Sequence, residues 1–252
     1  MAAVDLNADV GEEAGAAGDD PLLEVVTSAS VACGFHAGDP GVMRHTVRQA
    51  VAHQVVIGAH PSYPDRDGFG RRETGRAPDR VADDVLYQVG ALDALARAEG
   101  GRVRYVKPHG ALYHRMGEDQ ACARAMAEAL RAYGDLVLLA PAGSPAVAVA
   151  EGLGVAVATE AFADRAYLPD GRLVPRGEPG AVRLDPQEVA GRARCLALEG
   201  RVTAVDGSWL ALSVSSICLH GDTPGAVALA RAVRRALASA GVTLRPFVVT
   251  VP

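Results

Sequence analysis

Short apolar runs bounded by Gly, Pro or Asp alternate with longer stretches of helical periodicity along the chain. This alternation is typical of βα units that form a parallel sheet. Strands are predicted at seven places: Ala3–Asn7, Ser28–Cys33, Val55–Gly58, Val103–Val106, Leu136–Leu139, Val155–Thr159 and Ser215–Leu219. Seven such units in 252 residues predict one α/β domain over residues 1–252, a distorted seven-stranded (β/α) barrel of TIM-like type. An open doubly wound sheet is the alternative.

The helical pattern is strongest from Pro78 to Ala98, where apolar residues fall on one face and Gly100 and Gly101 follow as a stop signal. Three other helices are predicted to begin where a capping side chain precedes proline, at Asp39-Pro40, Asp185-Pro186 and Thr223-Pro224. The same capping role is a sufficient explanation for Asp39 and Asp222 without any part in catalysis.

Two segments interrupt the alternation, 62–77 and 168–180, and both are rich in Gly and Pro. Long loops in compact domains usually carry function, so both are predicted to lie at the site. A short hairpin is predicted within Val202–Ser213, with Asp206-Gly207 as its turn.

Composition narrows the possible partners and compartments. The net charge is −5 and basic residues do not cluster, which argues against a nucleic-acid surface. The sequence contains no apolar run of roughly 18 residues and no secretory leader, so a cytoplasmic protein without a membrane span is predicted. Four separated cysteines without a C-x-x-C pair are predicted to be reduced thiols.

Polar and ionisable residues follow almost every predicted strand, where a parallel barrel collects its active site. Candidates for catalysis are Asp9, His36, His60, Lys107 and His109. Candidates for substrate binding are Asn7, Arg71, Arg72, Glu160, Arg165 and His220. Lys107 is the only lysine among 25 basic side chains, which favours a site where a guanidinium cannot replace an ammonium.

Several roles remain open for these residues. The four histidines can be metal ligands, general acids and bases, or buried imidazoles with satisfied hydrogen bonds. Asp9 can serve as a base or as a metal ligand, and the arginines suit a carboxylate or a phosphate. His45 and His53 fall in the predicted helix after Pro40 and are interpreted as structural or surface residues.

Two nucleotide-binding motifs are absent from the sequence. The segment after the first strand reads DLNADVGE rather than G-x-G-x-x-G, which argues against a nicotinamide enzyme. The one lysine is followed by Pro108, so the chain contains no Walker A loop. If ATP is used, another fold or another subunit is predicted to hold its phosphates.

Seven ordered motifs together resemble the LamB/YcsF family from the first strand to the last helix. They are DLNADVGE, ACGFHAGDP, GAHPSYPDRDGFGRR, YVKPHGALYH, EAFADRAY, DGRLVPR and ICLHGDTP. The chain departs from the family pattern at Ala8, His114 and Pro175, where cysteine, asparagine and serine are usual.

The resemblance implies a distorted barrel of the glycoside hydrolase/deacetylase type. It also implies ATP-dependent opening of 5-oxo-L-proline to L-glutamate, in which ATP is the cosubstrate and is bound together with Mg. The implied partners are 5-oxoprolinase subunits B and C. Asp9 or a histidine would then activate water, Lys107 would stabilise negative charge, and an arginine from the Gly68–Arg72 loop or Arg165 would hold the substrate carboxylate.

Two other functions fit the same residues. One is metal-dependent hydrolysis of the deacetylase kind, with Asp9, His36 and His60 as ligands. The other is a non-catalytic barrel that binds a small carboxylate and regulates a partner.

Overall fold

A computed structural model describes residues 2–12 and 19–248. The strands are β1 (Ala3–Val10), β2 (Ser28–Ala32), β3 (Val56–His60), β4 (Val103–Val106), β5 (Val137–Pro141), β6 (Val157–Phe162), β7 (Arg201–Thr203), β8 (Trp209–Ala211), β9 (Ser216–His220) and β10 (Thr243–Leu244). The helices are α1 (Asp20–Leu23), α2 (Pro40–Ala52), α3 (Pro78–Ala98), α4 (Gly110–Glu118), α5 (Gln120–Tyr133), α6 (Pro145–Gly152), α7 (Pro186–Glu199) and α8 (Ala226–Ser239).

Seven strands of the described residues form a closed parallel barrel in the order β1, β2, β3, β4, β5, β6, β9. The ring closes where Asp5–Asp9 of β1 pairs in register with Ser216–His220 of β9. The predicted seven-stranded (β/α) barrel is therefore confirmed, and the open sheet is excluded. Outside the ring, β10 pairs with the first residues of β1. The antiparallel pair of β7 and β8 confirms the predicted hairpin.

The alternation of side chains along β1 separates the core from the barrel interior. Val4, Leu6, Ala8 and Val10 belong to the main hydrophobic core, which includes the apolar faces of the surrounding helices. The intervening residues of Asp5–Asp9 are acids and an amide, and all are buried. Because successive strand side chains point to opposite faces, these polar groups share one face of β1.

Helix starts agree with the sequence in two of three cases. Asp39 accepts hydrogen bonds from the backbone N–H groups of Gly41 and Val42, and Asp185 caps α7 in the same way. The prediction at Thr223 was wrong, because α8 begins only at Ala226, after Gly225 with φ +78°. A left-handed residue cannot continue a helix, so the start moves past it.

Asp222 is a second correction, because its carboxylate does not cap a helix. It accepts hydrogen bonds from Arg71 and Arg176, each at 2.6 Å. It therefore ties the loop after β3 to the loop after β6. Among the described residues, no helix has both the length and the apolar character to cross a membrane.

Five barrel strands extend further than predicted: β1 continues to Val10, β3 to His60, β5 to Pro141, β6 to Phe162 and β9 to His220. Asp9, His60, Glu160 and His220 therefore lie on strands rather than on the loops after them. Strand backbone is held by ladder hydrogen bonds on both sides. The polar side chains at these positions are consequently placed more rigidly than loop residues would be.

Asp5 is a buried carboxyl group at the bottom of the barrel, and its burial should make the free energy of unfolding depend on pH. It accepts hydrogen bonds from the hydroxyls of Thr27, Ser28 and Ser216 at 2.6, 2.7 and 2.5 Å. Burial nevertheless raises its pKa to about 6, against an ordinary value of 3.8. The folded state therefore binds the proton of Asp5 more tightly than the unfolded state does. The stabilisation that this proton gives is complete below pH ~4 and is lost as the pH rises through 6.

Asp5→Asn removes this titration and keeps a hydrogen-bonding group of the same size. We expect the free energy of unfolding of the native chain, relative to the variant, to fall by up to roughly 3 kcal/mol between pH 4 and pH 8, since one pKa unit is about 1.4 kcal/mol. Urea unfolding of both proteins across this range measures the difference. A difference that does not change with pH would contradict the assignment.

Candidate active site

Lys107 lies at the centre of the barrel mouth and is 1% exposed. Its Nζ is 2.8 Å from Asp9 Oδ1, 2.9 Å from Cys218 Sγ, and 3.4 Å from both Asn7 Oδ1 and Glu160 Oε2. Burial opposes the charged ammonium, but the negative charges of Asp9 and Glu160 hold its pKa well above the usual value. Lys107 is thus a permanent buried cation paired with Asp9.

Glu160 is a second acidic neighbour of Lys107, whose ammonium is already paired with Asp9. Its Oε2 accepts a hydrogen bond from Asn7 at 3.2 Å, while its Oε1 is buried without a hydrogen-bond partner among the described residues. Burial raises its pKa, and the charge of Lys107 opposes that shift only in part. The buried hydroxyl of Tyr113 also interacts with this carboxylate and opposes the rise in its pKa.

Three histidines and Glu12 gather beside this pair. The rings of His36, His60 and His109 lie with centroids 3.8–5.6 Å apart. Glu12 Oε1 is 3.0 Å from His36 Nε2, 3.0 Å from His109 Nδ1 and 3.7 Å from His60 Nε2. We call Glu12, His36, His60 and His109 the imidazole cluster. Its donor set is one that could hold a metal ion.

The cluster is closely covered by the long loop after β3. Gly70, at φ +64°, lies so close that an added Cβ would be 2.9 Å from His36 Cβ and 3.0 Å from His109 Cδ2. Only glycine fits there, because any side chain would collide with the rings. Burial lowers the pKa of His36 to about 3 and also lowers that of His109. For His60 burial is outweighed by the charge of Asp9, which raises the pKa.

A second acid–imidazole pair faces the barrel mouth from the opposite side. His220 Nδ1 is 3.0 Å from Asp164 Oδ2, which also accepts the backbone N–H of His220. Burial would raise the pKa of Asp164, but the adjacent His220 lowers it, so the carboxylate is ionised. A carboxylate at Nδ1 selects the tautomer with the proton there, which leaves Nε2 of His220 free to accept a proton.

A cavity of about 260 Å³ connects these groups. It is lined by Asp9, His60, Lys107, His109, Tyr113, His114, Phe162, His220, Arg71, Arg165, Arg176 and neighbouring loop residues. Both loops predicted to be functional contribute to its wall. Its volume is just below the range of about 300–1,000 Å³ usual for drug-sized ligands, so it suits a small substrate.

Arg165 is the most buried of the three arginines, at 4% exposure. Its guanidinium donates to the carbonyl oxygens of Ala181 and Val174 at 3.3 and 2.7 Å. None of the described carboxylates forms an ion pair with it within 4 Å, whereas Arg71 and Arg176 share Asp222. Burial lowers the pKa of Arg165, with the like charge of Arg176 adding to the effect. A negatively charged ligand would therefore find a cation that has no ion-pair partner among the described residues.

The structure brings most, but not all, of the predicted residues to this cavity. Asp9, His60, Lys107, His109, Arg71, Arg165 and His220 line it. Asn7 lies behind Lys107, and His36 lies behind His109 in the imidazole cluster. Glu160 lines an adjoining cavity of about 630 Å³. Arg72 lines neither; its guanidinium pairs with Asp65 and is 65% exposed.

Several residues of the site were not among the predicted candidates. They include Glu12, Asp164, Arg176, Tyr113 and Cys218, and each lies within one of the seven motifs. Their place in these motifs was the signal by which the sequence could have identified them. It could not show which of several polar neighbours faces the cavity, because that depends on where each strand ends.

The metal hypothesis named Asp9, His36 and His60 as ligands. In the structure Glu12 lies among the imidazoles. Asp9 forms an ion pair with only one of these rings, with its Oδ2 3.4 Å from His60 Nε2.

Comparison with known proteins agrees with the motifs. The model of the LamB/YcsF family matches residues 4–251. The chain belongs to the LamB/YcsF family. It is 53% identical over 251 residues to the 5-oxoprolinase A subunit of Kocuria rhizophila, with 98% of this chain and 100% of that one covered. The crystal structure of the lactam utilization protein from Thermus thermophilus has a TM-score of 0.90 at 47% identity, covering 97% of this chain and 100% of that one.

The family fold extends to more distant structures. The polysaccharide deacetylase Bc1974 from Bacillus cereus has a TM-score of 0.52 at 11% identity, covering 98% of this chain and 93% of that one. At this identity the likeness concerns the fold alone. It confirms the predicted deacetylase-type barrel for this LamB/YcsF member.

Proposed function

We propose that this chain is the A subunit of an ATP-dependent 5-oxoprolinase. Its reaction would open the lactam of 5-oxo-L-proline to L-glutamate, using one water for the ring and one for hydrolysis of ATP to ADP and phosphate. Support comes from the relatives that carry this subunit name and from a small cationic cavity holding a buried ammonium. The arrangement of Lys107, Asp9 and the His220–Asp164 pair around this cavity is the observation that carries the proposal.

Lys107 and His220 supply the two functions that lactam opening needs. Addition of water to the ring carbonyl places negative charge on its oxygen, which the Lys107 ammonium stabilises in a site of low dielectric. His220 takes the proton of the attacking water at Nε2, and Asp164 stabilises the resulting imidazolium. The C–N bond then breaks, and the nitrogen leaves with a proton as the amine of glutamate.

ATP enters this proposal through the partners. A lactam is a stable amide, and transfer of a phosphoryl group from ATP to its oxygen, beside the Lys107 ammonium, would make the ring carbon a better electrophile. Addition of one water and cleavage of the C–N bond would then give an acyl phosphate, and a second water would release phosphate and glutamate. The chain has no Walker A loop, so we assign the binding of ATP with its Mg to subunits B and C. The lactam would remain in the cavity of this chain.

The proposal is tested by reconstitution. The chain is mixed with subunits B and C, 5-oxo-L-proline and ATP, and glutamate is measured with each component omitted in turn. We expect no glutamate when this chain or ATP is left out. Full turnover without this chain would favour the regulatory function, and full turnover without ATP would favour a hydrolase of the deacetylase kind.

Arg165 is assigned to the carboxylate of 5-oxo-L-proline, and Arg165→Lys tests this. A forked guanidinium makes two bonds to a carboxylate, where an ammonium makes one. We expect KM for 5-oxo-L-proline to rise about 10- to 100-fold, equivalent to a loss of about 1.5–3 kcal/mol. The matched control is Arg72→Lys, whose guanidinium pairs with Asp65 outside the cavity. Equal KM values in both variants would contradict the assignment.

A further inference from the structure

Two imidazole nitrogens face each other inside the imidazole cluster at hydrogen-bond distance. His60 Nδ1 is 2.6 Å from the carbonyl oxygen of Lys107, and His109 Nε2 is 2.9 Å from that of Phe69. A carbonyl oxygen only accepts, so both of these nitrogens carry hydrogen. In neutral rings the remaining nitrogens, His60 Nε2 and His109 Nδ1, therefore hold lone pairs. They lie 3.0 Å apart, so either a proton carried by one of the rings or a metal ion must lie between them.

The other two members of the cluster add further lone pairs at the same point. His36 Nδ1 is 3.0 Å from Ser62 Oγ, and that hydroxyl donates to the carbonyl of Tyr63 at 2.8 Å. Ser62 therefore accepts from His36 Nδ1, which leaves Nε2 of His36 bare as well. This nitrogen lies 3.0 Å from Glu12 Oε1, which is an acceptor too.

We propose that the imidazole cluster binds one divalent transition-metal ion of the zinc class. Three imidazoles and one carboxylate match the ligands that zinc takes in proteins. With Zn–N bonds of about 2.0–2.1 Å, neighbouring ligands of a tetrahedral ion lie about 3.3 Å apart. The separations within the cluster are 3.0, 3.0, 3.0 and 3.7 Å for four pairs, and all ligand atoms lie within 4.8 Å of one another.

The surroundings of the cluster also match a metal site. Each ring has its outer nitrogen held by a backbone carbonyl or a hydroxyl, which fixes the tautomer that presents a lone pair inward. A single proton between His60 and His109 would relieve only that one contact. It would leave the bare nitrogen of His36 against the carboxylate of Glu12, whereas a divalent ion satisfies all four donors.

One adjustment is required by the geometry. The rings of His36 and His109 stack at 3.8 Å with 7° between their planes, so one ion cannot lie in both planes. Binding therefore includes a rotation of one ring about its Cβ–Cγ bond. The site does not rest on the proposed function, although His60 and His109 also line the cavity.

Metal binding is measured directly on the purified chain. The protein is stripped with a chelator, titrated with ZnCl₂ by calorimetry, and assayed for zinc by mass spectrometry after gel filtration. We expect one zinc per chain. Glu12→Gln and His109→Gln should each weaken zinc binding at least about 100-fold. Ser62→Ala, which keeps every ligand, should weaken it by roughly 10-fold through loss of ring orientation.

His114→Gln is the matched control, since His114 lines the same cavity but lies outside the cluster. It should bind zinc as the native chain does. Failure of the native chain to retain zinc, or equal zinc affinity in the cluster variants, overturns the proposal. Co²⁺ added to the stripped native chain gives an answer that does not depend on any variant folding. Visible absorption typical of four-coordinate cobalt supports the site, and its absence leaves a protonated histidine pair as the occupant.

Discussion

Lys107→Arg is expected to lower the rate of 5-oxo-L-proline opening by the assembled enzyme at least ~100-fold, the loss typical when one stabilising group of an oxyanion is removed. The ammonium makes short contacts to Asp9 and Cys218 in a filled space. A guanidinium can keep the charge but is longer and planar, so it cannot place one donor at the same point. Turnover of the reconstituted complex measures the effect.

The control for Lys107→Arg is Arg102→Lys, which reverses the exchange at an exposed position just before β4. It should leave the rate unchanged. Thermal unfolding followed by circular dichroism establishes that Lys107→Arg is folded at the assay temperature. A folded Lys107→Arg enzyme with native turnover would remove the ammonium from the mechanism.

His220→Gln is expected to lower kcat by about 10²–10⁴, the usual contribution of a general base. Asp164→Asn should cause a loss in the same range, because an amide can donate to Nδ1 and so select the wrong tautomer of His220. The stacked ring of Phe162, with its centroid 5.2 Å from that of His220, keeps the imidazole in place in Asp164→Asn. KM should change far less than kcat in both variants, since neither residue is assigned to the substrate carboxylate.

The matched control is His45→Gln. His45 also pairs with an aspartate, Asp20, at 3.0 Å, but it lies on α2 away from the cavity. It should retain native kcat. If His220→Gln kept kcat within twofold of the native value, the base would have to be another residue at the cavity, such as Asp9, His60 or His109.

The number of barrel strands could be predicted because each contains a short apolar run. The ends could not, since Asp9, His60 and Glu160 are polar residues that continue strands beyond the apolar pattern. Their burial is made possible by partners far away in sequence, such as Lys107 for Asp9. A local pattern carries no information about such partners.

The same limit explains which parts of the site were predicted. Lys107 and the four histidines were visible because rare residues at strand ends are informative. The pairing of Asp222 with two arginines was not, because an aspartate before a threonine and a proline reads locally as a helix cap. Arg72 is the opposite case, because it was predicted to bind substrate together with Arg71. In the structure Arg71 lines the cavity, whereas the Arg72 guanidinium pairs with Asp65 outside it.

The most direct test of the account uses a variant in which the buried ion pair is removed as a unit. Asp9→Asn combined with Lys107→Met leaves no uncompensated member of that pair, and such paired removals are often neutral for stability. The account predicts a chain that folds and assembles with subunits B and C but forms glutamate at least ~100-fold more slowly. Glutamate formation at the native rate by that complex would contradict it, and would place the lactam chemistry in one of the partners.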